Sequence, residues 1–412
     1  MASAWEIKGM PKFGPLKADT TAEVCIIGGG LAGIWCAYQL SKAGKRVVLL
    51  EADRLGRAAT LYTTAFLTQS LDTDLTDLVS ALGKPRAKSI YQAHSKAIDL
   101  IEKAVREEGI DCEFMRVDNR IVAESDTDME ELRAEYELAE KFGFSVEWKP
   151  TPYKGFKNFG GFTWKNQGKY HPMKFFQGLV EAAVKNGAEI YEKTEVAEVA
   201  GKSILSVRTK GGKTVKAKDV IVATYDPFNN PKPVHFKKGM YESYVYELSI
   251  KRGAIPEGIY EDNGNPYHYF RIDRGEKHDR MIVGGEDHRA ELTKALSTKS
   301  FRALKSWVDE TFPGLEYKVE NKWHGGILEP SDGLALIGEY APHQYLASAF
   351  SGNGMTYSAL SGRILTDLII GKKNPYAPLF DPKRKLNKKL LMEKFRDYGE
   401  EFFKGAGKNL FA

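Results

Sequence analysis

Residues 22–51, AEVCIIGGGLAGIWCAYQLSKAGKRVVLLE, constrain the fold more than any other stretch. Ala22 to Ile27 is a short apolar run with the length and branching of a buried parallel strand. Gly28, Gly30 and Gly33 follow at G-x-G-x-x-G spacing. The first allows a tight turn, the second lets backbone approach a pyrophosphate, and the third lets helix and strand pack closely. Leu31 and Ala32 open a helix that runs to Ala43, with Gly44 in the position of a C-terminal cap. Arg46 to Leu50 reads as the second strand, closed by Glu51 and Ala52. A carboxylate there accepts hydrogen bonds from both ribose hydroxyls and repels a 2′-phosphate. Taken together, strand, turn, helix, strand and acid predict a dinucleotide-binding βαβ unit.

At 412 residues the chain exceeds one ordinary core, so two packed domains are expected. Its 42% hydrophobic and 28% charged residues describe a soluble globular protein, and a net charge of +5 gives no reason to expect nucleic acid. Cys25, Cys36 and Cys112 form no C-x-x-C pair, which argues against disulfides and structural zinc and suits a reducing, cytoplasmic setting. No metal-ligand spacing stands out. The opening MASAWEIKGMPKFGPL lacks the charged and apolar regions of a signal peptide, and no apolar run of about 18 residues could cross a bilayer.

Further along, Lys84 to Glu108 shows helical periodicity. Asp111 to Ala123 reads as a hairpin turning at Asp118-Asn119, and Asp126 as the cap of a helix running to Phe142. His171-Pro172 introduces a helix ending at Gly187. The segments 241–250, 266–272 and 281–285 are aromatic-rich and alternating, as in an antiparallel sheet with one face toward a ligand or core. A helix is expected near 300–311. Gly338 closes a strand, 345–350 is another, and 353–371 is a long helix.

Three later features favour FAD over NAD: the hydroxyl-rich LYTTAFLT (61–68), the buried run DVIVAT (219–224), and the glycine turn opening a helix in AFSGNGMTYSALSGRILTDLI (349–369). Amides at that helix start stabilise negative charge by roughly 0.3–2 kcal/mol, which suits the electron-rich edge of a reduced flavin. Together these stretches resemble the FAD-dependent D-amino-acid oxidase superfamily, which includes glycine, sarcosine and γ-glutamylputrescine oxidases. The match is densest at GGGLAG, TTAFLT, WHGGILEPSDGLALIG (323–338) and FSGNGM (350–355). Trp5-Glu6, the TTA motif, His171-Pro172 and Leu379-Phe380-Asp381-Pro382 look most like a branch that often carries a C-terminal Rieske domain. No C-x-H…C-x-x-H cluster is present here, so a Rieske-less relative is expected.

The resemblance implies an α/β fold: a Rossmann-like FAD-binding domain of the GR2 type and a second α+β substrate domain on an antiparallel sheet. Residues 1–83, 150–235 and 322–385 are assigned to the first and 84–149 and 236–321 to the second. The resemblance places Gly28, Gly30, Gly33 and Glu51 at the ADP half, Val196 at the adenine, and Thr63, Thr64 and Ala65 along the flavin. Gly352, Asn353, Gly354 and Met355 fall at its O2 side. Ala52, Arg57, Leu67, Ala223, Thr224, Gly326 and Thr356 complete the expected cofactor set. Flavin is expected to be noncovalent, because no cysteine lies in the C-terminal half and no histidine precedes Thr63.

The reaction implied is hydride transfer from a carbon next to an amine to flavin N5, with the imine then hydrolysed. Its acceptor would be O2 or a quinone-type partner. Glycine-oxidase-like members place an arginine soon after the tryptophan of the WHGG stretch; Gly325-Gly326-Ile327-Leu328 supplies none. Arg271 is the substitute anion clamp to consider, with His324, Tyr269 and His268 as further catalytic candidates. The alternative is an FAD-binding subunit whose chemistry sits in a partner. The basic, amphipathic residues 386–412 suit docking on their own domain, on a partner, or peripherally on an acidic membrane.

Overall fold

Two sheets carry the chain, which is described by a computed structural model over residues 3–227, 238–264, 266–290, 294–385, 387 and 390. The first has the order Leu336–Ala341, Gln344–Ser348, Thr214–Val222, Thr20–Ile27, Val47–Leu50 and Glu189–Tyr191. Its neighbours run parallel except for the hairpin 336–348 at one edge. A second hairpin, Val196–Gly201 with Leu205–Thr209, extends it beside the start of Thr214–Val222. The central strands are buried on both faces, which is why they read as unbroken Val/Ile/Leu runs. Helices Leu31–Lys42, Pro172–Lys185 and Gly354–Ile369 cover one face.

The second sheet has nine strands. Its order begins Tyr317–Pro330, Lys238–Lys251, His278–Arg289, His268–Asp273 and Gly258–Asp262, and continues through Met115–Val122, Gly161–Lys169 and Phe66–Leu67. Pairing is antiparallel except between Gly258–Asp262 and Met115–Val122. Helix Lys294–Thr311 packs on it.

The two sheets alternate in sequence. Phe66–Leu67 and Gly161–Lys169, which the sequence assigns to the FAD part, pair in the nine-stranded sheet. The Lys169 ammonium reaches Glu257 and Asp273 there. Helix Lys84–Glu108, assigned to the substrate part, packs on Gly354–Ile369, and the His94 ring nitrogen meets the Thr356 hydroxyl at 2.9 Å.

Three local expectations are corrected. Residues 111–123 are no hairpin: Met115–Val122 is one strand, and Asn119 is buried within it, donating to the Ser70 hydroxyl. The helix Asp126–Lys141 is capped by Ser125, whose hydroxyl accepts from the Asp128 amide. Gly338 lies inside the strand Leu336–Ala341, at φ +152° beside the Pro382 ring. His171 and Pro172 do open their helix, with the His171 ring accepting from the Lys174 amide. Among the described residues no helix is long and apolar enough to cross a membrane. The tail 386–412 lies outside the described residues except for Asn387, which donates to the Ala81 carbonyl, and buried Leu390.

Candidate functional site

A cavity of about 470 Å³ opens where the parallel strands of the first sheet end. That size suits a cofactor or small ligand, and the carboxyl edge of an open α/β sheet is where ligands bind. Gly28 follows the first strand at φ +110°, and a Cβ there would stand 2.5 Å from the Ala223 carbonyl oxygen. At Gly33 a Cβ would lie 2.0 Å from the Gly28 carbonyl oxygen, so this glycine serves helix–strand packing and does not line the cavity. Gly30 differs: the nearest atom to its missing side chain is the Thr60 hydroxyl at 3.7 Å, which leaves backbone open to a ligand. Glu51 is held by the Gly29 and Asp53 amides, one on each oxygen, at 2.7 and 2.8 Å.

The segment 62–65 approaches the cavity from the other sheet, and buried donors fix all four of its carbonyls. Trp323 Nε1 donates to Tyr62 O at 3.0 Å and Trp5 Nε1 to Thr63 O at 2.6 Å. One Arg271 nitrogen donates to both Thr64 O and Ala65 O, at 3.2 and 3.0 Å. Ala65 is fully buried at φ +59°, its amide held by the Thr63 hydroxyl. With the carbonyls turned away and pinned, Tyr62, Thr63 and Thr64 line the cavity.

On the third side, the turn 350–353 opens the helix Gly354–Ile369, whose first turn carries no acidic residue. Asp72 accepts from the Gly352 amide at 2.7 Å, and Asn353 donates to Ser70 O. Ser351 Oγ and Tyr225 OH are buried without a hydrogen-bond partner, and both residues line the cavity. Orphaned hydroxyls, open backbone at Gly30 and the two helix starts that face the cavity fit a polar, anionic coenzyme such as FAD.

Of the cofactor residues expected from sequence, Gly28, Gly30, Leu31, Ala32, Glu51, Ala52, Thr63, Thr64 and Val196 line this cavity. So do Ala223, Thr224, Gly326, Gly352, Gly354 and Met355. The rest do not. Gly33 and Ala65 are packing residues, Leu67 is fully buried in its strand, and Arg57 is exposed. Asn353 braces the turn, and Thr356 faces His94. Sequence reasoning missed Thr60, Tyr225 and Ser243, single hydroxyl residues with no spacing signal, and passed over Ser351 inside the FSGNGM turn.

The expected catalytic residues separate. Tyr269 lines the cavity and shares a 2.8 Å hydrogen bond with the Ser243 hydroxyl. Arg271 is 2% exposed, and its guanidinium is engaged by Asp273 and by the carbonyls of Thr64, Ala65 and Tyr170. It positions the 62–65 segment and is not free to clamp an anion. His268 stacks on Trp307 away from the cavity. His324 stacks on Tyr244 and pairs with Glu242 at 3.3 Å, again off the lining. Among the described residues, no lysine, arginine, histidine or cysteine lines the cavity; Glu51 and Glu195 do.

Acidic groups gather beside the Tyr269 end. Burial raises Asp287 to about 7, against a bond from Ser243 and with help from the charge of Glu329. Burial likewise raises Glu261 to about 8, with Asp72 and Asp262 adding to it.

A cleft at the carboxyl edge of a parallel sheet, two glycine turns and two helix starts define an FAD-binding protein of the Rossmann type. The FAD dependent oxidoreductase (DAO) family model matches residues 23–368. The Bacillus subtilis (strain 168) protein YhfW, named for a Rieske 2Fe-2S iron-sulfur centre, is 31% identical over 91% of this chain and 74% of its own length. The γ-glutamylputrescine oxidoreductase of Escherichia coli (strain K12) is 25% identical over 87% of this chain and 85% of its own. Among solved structures, glycine oxidase from Geobacillus kaustophilus superimposes with a TM-score of 0.74 at 21% identity, covering 89% of this chain and 99% of that one. The chain belongs to the DAO family of FAD-dependent oxidoreductases.

Proposed function

We propose that this protein oxidises an amine whose recognition rests on positive charge rather than on a carboxylate. The observation that carries the reading is the cavity lining: among the described residues it has no basic side chain, the Arg271 guanidinium is engaged by Asp273 and backbone carbonyls, and carboxyls cluster by Tyr269. FAD, held by the glycine turns at Gly28–Gly30 and Gly352–Gly354, would supply a two-electron acceptor for a hydride from the carbon bearing the amine. As the hydride leaves, the nitrogen would give up a proton and a C=N bond form; water adding to that imine would release the carbonyl product together with ammonia or the remaining amine.

The chain's own residues contribute placement and exclusion of water, the two things such a transfer needs most. Trp5, Trp323 and Arg271 hold the 62–65 backbone rigid. The helix start at Gly354 favours negative charge arriving beside it. Tyr269 and Ser243, hydrogen-bonded to each other, border the substrate end, and Asp287, bonded to Ser243 behind them, would attract an ammonium group there once ionised. Among the described residues no cysteine or histidine lines the cavity, and noncovalent FAD suits that lining.

The test is an anaerobic panel on the FAD-loaded protein, scored by bleaching of flavin absorbance. Diamines and other carboxylate-free amines should bleach it at lower concentration than glycine. Bleaching by α-amino acids alone would contradict the reading. Bleaching by no amine would leave the partner-dependent subunit in its place.

A further inference from the structure

Across the nine-stranded sheet from the cavity lies a second cluster of polar groups. Asp262 ends the strand Gly258–Asp262, His268 begins the strand His268–Asp273, and Glu124 stands two residues beyond Val122, the register partner of Asp262. One ligand atom from each lies within 4.8 Å of the others. Asp262 and His268 are 4% and 3% exposed.

The hydrogen bonds around these groups leave the inward atoms uncommitted. Asp262 Oδ1 accepts from the amides of Gly264 and His268, at 3.1 and 2.9 Å. His268 Nε2 meets Glu286 at 3.2 Å, and the ring stacks on Trp307 with centroids 4.3 Å apart. Trp307 Nε1 donates to one Glu124 oxygen at 3.1 Å. What remains is Asp262 Oδ2 facing His268 Nδ1 across 3.3 Å, both buried and neither making a hydrogen bond.

With Nε2 taken up by Glu286, His268 Nδ1 faces a carboxylate oxygen at 3.3 Å, so a positive charge, either a ring proton or a metal ion, belongs between them. Two acceptors do not face each other stably unless something positive lies between them. Three carboxylates, Glu124, Asp262 and Glu286, surround this one ring, and among the described residues no lysine or arginine pairs with any of them. Ligands at about 2.0–2.2 Å from a metal stand roughly 3.0–3.5 Å from each other, which matches the 3.3 Å gap. A carboxylate on the outer nitrogen is the usual support of a metal-bound histidine.

We infer that Glu124, Asp262 and His268 bind a divalent transition cation, with Glu286 orienting the histidine. One imidazole with two carboxylates suits Zn²⁺ or Mn²⁺. The three ligands are separated by up to 144 positions (268 − 124), so no local spacing announces them. Tyr269, the next residue after His268, lines the flavin cavity, so the ion would fix the strand start that carries it.

The experiment uses FAD-loaded protein stripped with chelator, dialysed, and titrated calorimetrically with ZnCl2 and MnCl2 in separate runs at pH 7.5. One ion per chain is expected. Glu124→Gln and Asp262→Asn should each weaken binding at least tenfold with the flavin spectrum unchanged, and Glu286→Gln should weaken it roughly 10–100-fold. Glu124 is exposed, so its variant decides the matter even if Asp262→Asn fails to fold. Absence of binding by either ion, or equal affinity in Glu124→Gln and wild type, would overturn the inference and leave a proton on His268 as the shared positive charge.

Discussion

Arg271 and Asp273 form a buried pair that Lys169 and Arg280 also join. Burial works against the Asp273 charge, yet Arg271, Lys169 and Arg280 hold its carboxyl well below the ordinary 3.8. A depressed carboxyl contributes stability that is present above the unfolded value and lost as pH falls below it. Asp273→Asn leaves three cations facing an amide, so denaturant unfolding should show a loss of about 3–5 kcal/mol at neutral pH and a flatter acid limb. Two glycines make a sharper pair of tests. Gly33→Ala drives a Cβ against the Gly28 carbonyl and should destabilise the apoprotein by about 1–3 kcal/mol. Gly30→Ala meets nothing closer than 3.7 Å, so apoprotein melting should hold within about 0.5 kcal/mol while FAD affinity, measured by titration, falls more than tenfold. The glycine fingerprint was legible because each spacing has one geometric meaning. The role of Arg271 was not: a strand arginine reads the same whether it clamps a ligand or pins a neighbouring loop, and only the fold brings Thr64 and Ala65 beneath it.

Elements with strong periodicity or caps were readable from the chain, as the helix opened by His171-Pro172 shows. There the ring accepts from the Lys174 amide, and burial holds His171 down to about 4, so it stays neutral in the fold. A depressed histidine costs stability as pH drops below the unfolded value of 6.5, because the unfolded chain takes up the proton first. His171→Asn keeps an acceptor at the cap and removes the titration. Its stability, followed by thermal melts, should therefore decline less steeply between pH 6.5 and 4 than that of wild type. The strand Met115–Val122 was misread because Asp118-Asn119 is a common turn pair. Tertiary contacts override it here, with Asp118 on Lys165 and Asn119 on Ser70. Segments of the antiparallel sheet were visible as alternation, but which aromatic faced the cavity was not, since Tyr269 and His268 differ only by which side of the sheet they occupy.

In the whole molecule the two sheets meet at one cleft, the parallel sheet supplying the coenzyme's glycine turns and the antiparallel sheet the Tyr269 end. The acidic groups there give the cleft a pH signature. Asp287 and Glu261 titrate near 7 and 8, above the ordinary 3.8 and 4.5. Groups raised in this way are protonated in the fold where the unfolded chain is ionised, so the apoprotein should lose stability as pH rises from about 4 to 8. Ionised, they attract a cation; the KM for a diamine should fall from pH 6 to 8.5, and Asp287→Asn should raise it about 10–100-fold, the worth of one charged hydrogen bond. All of this assumes that one cleft, gripped by an early and a late glycine turn, holds FAD without a covalent bond. Flavin content before and after acid precipitation measures that directly. The account predicts one FAD per chain, released entirely into the supernatant. A colourless protein whose melting temperature is unmoved by added FAD, or flavin that stays with the pellet, would contradict it.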